Sequence, residues 1–202
     1  MDWLNARARR VPTWVVYGLG LVPLALLVWG AVSGGLGPDP VKAIERGLGE
    51  RGLQFLLASL AITPLRRIGL NLIRFRRALG LLSFLYVTLH LVAWVWLDMG
   101  LRWDEMASDL TKRPFVILGM VGFVVMIPLA ATSWNGAIRR MGAAAWNRLH
   151  KLAYVAILAG AVHLALLSKV WTTEVLVYLA LALGLLALRL VPRTGIGRRA
   201  PA

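Results

Sequence analysis

The 202-residue chain is 59% hydrophobic and 16% charged, and its formal net charge is +14. Soluble domains keep about a quarter of their residues charged, so this composition is typical of a protein that lies in a lipid bilayer. The chain contains no cysteine. Disulfide bonds, thiolate metal ligands and cysteine-based redox chemistry are therefore excluded.

The N-terminal residues 1–11 are polar and basic, and a long apolar run follows at 12–33. A signal peptide has a shorter apolar core and a cleavage site with small residues. A run of about 20 apolar residues is long enough to cross roughly 30 Å of hydrocarbon. We therefore predict that this run is a retained first membrane helix.

Charged residues divide the chain into six apolar segments. The third and fourth are typical of spanning helices, whereas the second is short, with 14 residues between Arg51 and Arg66, and the sixth carries Glu174 near its start. Either of these two could, taken alone, be an interfacial segment. The segments lie near 12–33, 52–65, 78–97, 114–134, 149–168 and 171–190.

The distribution of charge favours six spans. If the N-terminus is cytoplasmic, 16 of the 23 basic residues fall in the inner segments, and eight of the nine acidic residues fall outside. An excess of Lys and Arg on alternate loops is the positive-inside pattern. We predict an all-α integral membrane protein with a six-helix bundle at 12–191, and cytoplasmic termini at 1–11 and 192–202. The positive net charge is then explained by the basic cytoplasmic loops, and nucleic-acid binding is not expected.

Two of the three histidines lie deep in apolar segments. His90 is about 18 Å along the third segment and His163 about 21 Å along the fifth, which runs in the same direction. Ionisable groups within spans are costly, and imidazole is a common axial ligand of haem iron. Two imidazoles at one depth could hold one haem between them. The alternative is two unrelated histidines, each bonded to a helical carbonyl.

His150 lies 13 residues before His163, at the cytoplasmic end of the fifth segment. The spacing of about 20 Å suits a second, inner haem. The two side chains would point about 140° apart on a regular helix, so they share a face only if the helix is distorted. The matching position on the third segment is Arg77, which is not a haem ligand. His150 could bind an inner haem with an unusual partner, or lie in a basic interface.

Arginines surround the predicted cytoplasmic end of the bundle. Guanidinium groups suit haem propionates or a flavin phosphate, although most of these arginines would only fix topology. The candidates for binding such a group are Arg77, Arg139, Arg140 and Arg148.

Several stretches carry a family resemblance. RFRRALGLLSFLYVTLHLVAWVWLD contains His90, and IRRMGAAAWNRLHKLAYVAILAGAVH contains His150 and His163; ITPLRRIG and KRPFVILGMVGFVVMIPLAATS accompany them. Together they resemble the haem-binding membrane subunit of the periplasmic methionine sulfoxide reductase system, within the ferric-reductase-like transmembrane group. The resemblance covers about 60–170.

The resemblance implies a b-type cytochrome of the bacterial inner membrane that passes electrons outward. Its partner would be a periplasmic molybdopterin-containing reductase that repairs oxidised methionines, and its donor the quinone pool or FMN from a cytoplasmic flavin reductase. The family's axial histidines correspond to His90 and His163, with His150 as a third, so the chain would bind one haem b or two. The wider group often has a fourth histidine, where this chain has Arg77.

The sequence is also compatible with two other functions. One is a stand-alone ferric or quinol reductase-like cytochrome b that acts on a small substrate directly. The other is a non-redox membrane transporter or assembly protein, which would bind no haem. Without thiol chemistry, we expect the chain to be an electron-transfer subunit rather than the subunit that reduces the sulfoxide.

Overall fold

A computed structural model describes residues 1–168 and 170–191 of the chain. These residues form helices and no strand, which confirms the predicted all-α class. The predicted cytoplasmic tail at 192–202 lies outside the described residues. A 3₁₀ turn, Ile73–Phe75, leads into α4, and a π-helical turn, Trp94–Asp98, follows it. The α-helices are α1 Asp2–Arg10, α2 Thr13–Val32, α3 Pro40–Arg67, α4 Arg76–Ala93, α5 Trp103–Lys112, α6 Pro114–Ala131, α7 Asn135–Met141, α8 Ala143–Leu149, α9 Leu152–Leu167 and α10 Thr173–Leu190.

Five stretches are long and apolar enough to cross a membrane. They are Thr13–Val32, Ile73–Asp98, Pro114–Ala131, Ala143–Leu167 and Thr173–Leu190. The chain is therefore a multi-pass membrane protein. The large apolar side chains of α2 face outward, as lipid contact requires: Val32 is 82% exposed and Trp29 is 71% exposed.

The prediction for the second segment was wrong in its bounds. Instead of a short helix near 52–65, the chain forms the 28-residue α3, Pro40–Arg67. Asp39 caps its first turn by accepting from the Lys42 amide at 3.0 Å, and Pro40 occupies the first helical position. At 1.5 Å per residue, α3 is about 42 Å long. The first half of α3 is charged, so a search for apolar runs finds only the second half of the helix.

Two helix pairs form the centre of the bundle. α3 packs along α4, and α6 packs along α9. Small residues allow close approach, as in many membrane helix pairs: a Cβ on Gly122 would lie 3.6 Å from the Ala159 Cβ. A core cluster joins the two pairs through Leu53, Leu56, Leu57, Leu60, Met126, Ala156, Ile157, Ala161, Tyr178 and Ala182.

Polar contacts attach the outer helices to this centre. The buried Tyr86 hydroxyl of α4 donates to the Gly20 carbonyl of α2 at 2.7 Å. On the other side, Gln54 Nε2 donates to the Tyr178 hydroxyl at 2.6 Å, which joins α3 to α10. Such bonds hold membrane helices in register where apolar packing alone does not select a partner.

The α3–α4 contact predicts a contrast between two glycine variants. A Cβ on Gly52 would lie 2.7 Å from Val87 Cγ2, whereas a Cβ on Gly18 would have no described atom within 4 Å. Gly52→Ala should therefore lower the free energy of unfolding by about 1–3 kcal/mol through overpacking. Gly18→Ala should leave it unchanged or raise it, because alanine favours helix. Thermal unfolding in detergent measures both, and equal effects would contradict this packing.

Candidate haem site

The structure brings His90 of α4 and His163 of α9 together. Their ring centres lie 6.3 Å apart, and the two ring planes are 80° from parallel. The helices that carry them belong to different pairs, so the histidines meet at the contact between the α3–α4 and α6–α9 halves. This is the shared depth that their sequence positions predicted.

His90 is held by the helix that packs on its own. Its Nδ1 donates to the backbone carbonyl of Glu45 in α3 at 2.8 Å. A carbonyl can only accept, so Nδ1 carries the proton and Nε2 keeps its lone pair.

His163 is held in the same way by α6. Its Nδ1 donates to the backbone carbonyl of Phe115 at 2.6 Å. Among the described residues, the hydrogen bonds of both rings are made by Nδ1. In the neutral form of each ring, Nε2 therefore keeps the lone pair and is the available ligand atom.

The ring spacing fits an iron porphyrin. With metal–imidazole bonds of about 2 Å, two rings bound to opposite faces of one iron have their centres about 6 Å apart. The observed separation is 6.3 Å. The donor set and its geometry therefore suit bis-imidazole haem ligation.

A cavity surrounds the two histidines and is lined mainly by apolar groups. Glycines line it from three helices, which leaves flat backbone surfaces of the kind that a planar macrocycle can approach. These are Gly49 and Gly52 of α3, Gly119 and Gly122 of α6, and Gly160 of α9.

Ion pairs line the outer end of this cavity. Lys42 contacts Asp98 at 2.6 Å and Glu45 at 3.3 Å, and Arg113 contacts Asp109 at 3.0 Å. The buried Glu45 keeps one carboxylate oxygen, Oε1, without a partner among the described residues. Charged groups are stable here only beside water or headgroups, so this end of the cavity marks the membrane surface.

His150 lies in a second cavity, which Arg76 and Trp146 also line. We call it the inner cavity, and we call the cavity around His90 and His163 the outer cavity. The Nε2 of His150 is 3.0 Å from the Thr132 hydroxyl, and its ring stacks on Trp146 with centres 3.8 Å apart. The apolar run at 149–168 does not form one helix, because α8 ends at Leu149 and α9 begins at Leu152. The helix is thus interrupted at residues 150–151, and distortion was the condition that the sequence set for His150 and His163 to share a face.

The inner cavity adjoins the outer one. Leu56, Met126 and Ala156 line both, so a thin apolar wall separates the two spaces. The inner cavity is more polar, and Arg77 lines it together with Arg74 and Arg76.

The other three arginine candidates lie elsewhere. Arg139, Arg140 and Arg148 line neither of these two cavities. Arg140 instead stacks on the Trp134 ring, 5.4 Å from its centre. Of the four predicted arginines, Arg77 alone is thus placed to meet a ligand in either cavity, and it donates to Asn135 Oδ1 at 2.8 Å.

Several site residues were missed in the sequence. The Glu45 and Phe115 carbonyls are backbone groups, which no side-chain pattern reveals. Gly49 and Gly119 were visible as glycines inside apolar helices, where glycine costs stability and so often has a packing reason. Thr132 and Trp146 had no signal beyond their position near a membrane surface.

Comparison with known proteins identifies the family of the chain. Residues 49–161 match the family model described as "Ferric reductase like transmembrane component". No solved structure matches the chain.

Two curated relatives share most of their length with the chain. Both are named protein-methionine-sulfoxide reductase heme-binding subunit MsrQ. The protein of Brucella anthropi is 43% identical over 179 residues, which cover 88% of this chain and 81% of that protein. The protein of Caulobacter vibrioides is 44% identical over 189 residues, which cover 91% and 90% respectively. The chain therefore belongs to the MsrQ family of haem-binding subunits of protein-methionine-sulfoxide reductase, with a ferric-reductase-like membrane domain.

Proposed function

We propose that the chain is an inner-membrane b-type cytochrome in which His90 and His163 are the axial ligands of one haem. The observation that carries this proposal is the pairing of two imidazoles, with ring centres 6.3 Å apart, in a cavity lined by glycine and apolar groups. When bound there, haem supplies one-electron transfer. The protein fixes the ligands, excludes water and sets the distance to each surface.

The inner cavity is proposed as the entry site for electrons. It offers His150 and three arginines, a set that suits either a second haem b or the phosphate of FMN. The Nε2 of His150 faces Thr132, so ligation through this nitrogen requires the threonine hydroxyl to move aside. The shared wall of Leu56, Met126 and Ala156 would keep the haem and the group in the inner cavity close together, each with its own protein ligands.

The proposed route runs from the cytoplasmic side to the periplasm. Quinones or a cytoplasmic flavin reductase would donate electrons, and a periplasmic molybdopterin-containing methionine sulfoxide reductase would accept them. The names of the relatives support a role beside a methionine sulfoxide reductase, because they describe the heme-binding subunit of a protein-methionine-sulfoxide reductase. The chain would act as the electron-transfer subunit of the system.

Six membrane spans with both termini in the cytoplasm would give this route its direction. Besides the five clear spans, α3 would provide the sixth. Its second half is apolar, and its full length of 28 residues is enough to cross a bilayer. The ion pairs at its charged first half would then face the periplasm.

Histidine variants test the haem assignment. In reduced-minus-oxidised spectra of the purified protein, His90→Ala and His163→Ala should each remove most of the b-type signal, because each takes away one axial ligand. His150→Ala should leave the signal of the outer haem intact. Normal haem content in both axial variants would contradict the assignment.

Arginine variants test the inner site with FMN as the probe. Arg77→Ala should weaken FMN binding about 10- to 100-fold, the cost of one charge-assisted hydrogen bond. Arg148→Ala, which removes an inner arginine that does not line the cavity, is the matched control. Fluorescence titration measures both, and equal losses would show a general effect of charge.

The absence of cysteine allows a direct test of topology. Single cysteines are introduced at Asp104 in α5 and at Met141 at the end of α7, both of which are exposed. A membrane-impermeant maleimide should label Asp104→Cys in cells with a permeable outer membrane. It should label Met141→Cys only after the inner membrane is opened. The reverse pattern would overturn the proposed orientation.

A further inference from the structure

We propose that Gly49 and Gly119 are positioning residues of the haem site, each holding one axial imidazole against the backbone of a neighbouring helix. The inference rests on the proposed function, since it concerns how the two ligands are oriented. It assigns a role to two residues that carry no functional group.

Each glycine leaves room for one ring. A Cβ on Gly49 would lie 3.2 Å from Nδ1 and 3.3 Å from Cε1 of His90. A Cβ on Gly119 would lie 3.0 Å from Nδ1 and 3.1 Å from Cε1 of His163. In both cases the three nearest atoms all belong to the imidazole. A larger residue at either position would require the ring to shift away from the helix by a few tenths of an ångström.

The same arrangement occurs twice, on two different helices. The carbonyl that accepts from His90 belongs to Glu45, four residues before Gly49. The carbonyl that accepts from His163 belongs to Phe115, four residues before Gly119. Residues four apart lie one above the other on one helix face. The carbonyl therefore fixes the Nδ1 edge of the ring, and the glycine one turn later lets the ring lie close enough to reach it.

This arrangement acts on the ligand atom through the ring. A hydrogen bond from Nδ1 to an acceptor raises the basicity of Nε2 and fixes the tautomer. A more basic ligand favours ferric iron, so the bond holds the reduction potential down. The two contacts also fix the planes of the rings, which lie 80° apart.

Helix packing alone does not account for these two glycines. A Cβ on Gly52, in the same helix as Gly49, would overlap Val87 of α4, so Gly52 serves the packing of α3 on α4. Gly160 lines the same cavity, but its Cβ would meet Leu53 at 3.6 Å, which is normal contact. A Cβ on Gly184 of α10 would have no described atom within 4 Å. The imidazole contact therefore distinguishes Gly49 and Gly119 from these other helical glycines.

The experiment compares the haem-loaded full-length protein with its Gly49→Ala, Gly119→Ala and Gly184→Ala variants. Axial planes near 80° predict a strongly anisotropic low-spin ferric signal in electron paramagnetic resonance. Gly49→Ala and Gly119→Ala should change that signal and shift the midpoint potential to a more positive value. They should also release haem to apomyoglobin about 10- to 100-fold faster, the usual scale for disturbed ligand support. Gly184→Ala should match the unmodified protein.

An unchanged ferric signal and midpoint potential in both glycine variants would overturn the proposal. If Gly49→Ala does not fold, the double variant Gly49→Ala/His90→Ala decides the question. Removing the imidazole removes the clash, so the double variant should recover the thermal stability of His90→Ala. A double variant that remains unfolded would show that Gly49 serves packing only. Absence of haem from the unmodified protein would instead sink the proposed function.

Discussion

The site depends on two hydrogen bonds from imidazole Nδ1 to helical carbonyls. Burying an imidazole in a bilayer is costly unless its polar atoms are satisfied. Glu45 and Phe115 supply one acceptor each, at 2.8 and 2.6 Å, and thereby leave one nitrogen of each ring with a free lone pair. The bonds that stabilise the rings also select the tautomer that can bind iron. A histidine that is bonded to a helical carbonyl through Nδ1 can therefore still bind a metal through Nε2.

The rest of the bundle arranges these two rings relative to each other. Each helix pair holds its own histidine, so the proposed metal site would form only where the pairs meet. A haem at that contact would join the two halves and stabilise their association. The inner cavity adjoins this site behind Leu56, Met126 and Ala156, so the bundle contains two neighbouring spaces. This arrangement suits an electron conduit better than a transporter, which needs a pathway for a substrate.

Sequence reasoning succeeded where the signal was a charge, a length or a rare residue. The shared depth of His90 and His163 followed from counting along two segments. The break of the helix at His150 was not predicted, since the 13-residue step shows only that the two side chains of a regular helix would point apart. Sequence reasoning failed for α3, because five charged residues, among them Lys42 and Glu45, lie in the first half of a helix that the apolar criterion cut in two. It also missed Gly49 and Gly119, since their role depends on which side chain faces them. Which side chain faces a glycine depends on the packing of different helices, and no fixed spacing along a single sequence reveals it.

The central claim is that one iron is bound by two imidazoles from different halves of the bundle. An experimental structure of the haem-loaded protein tests it most directly. We predict a single iron between the Nε2 atoms of His90 and His163, about 2 Å from each, with both Nδ1 atoms still bonded to the Glu45 and Phe115 carbonyls. An iron bound to only one of these histidines, or a haem located away from both, would contradict the account.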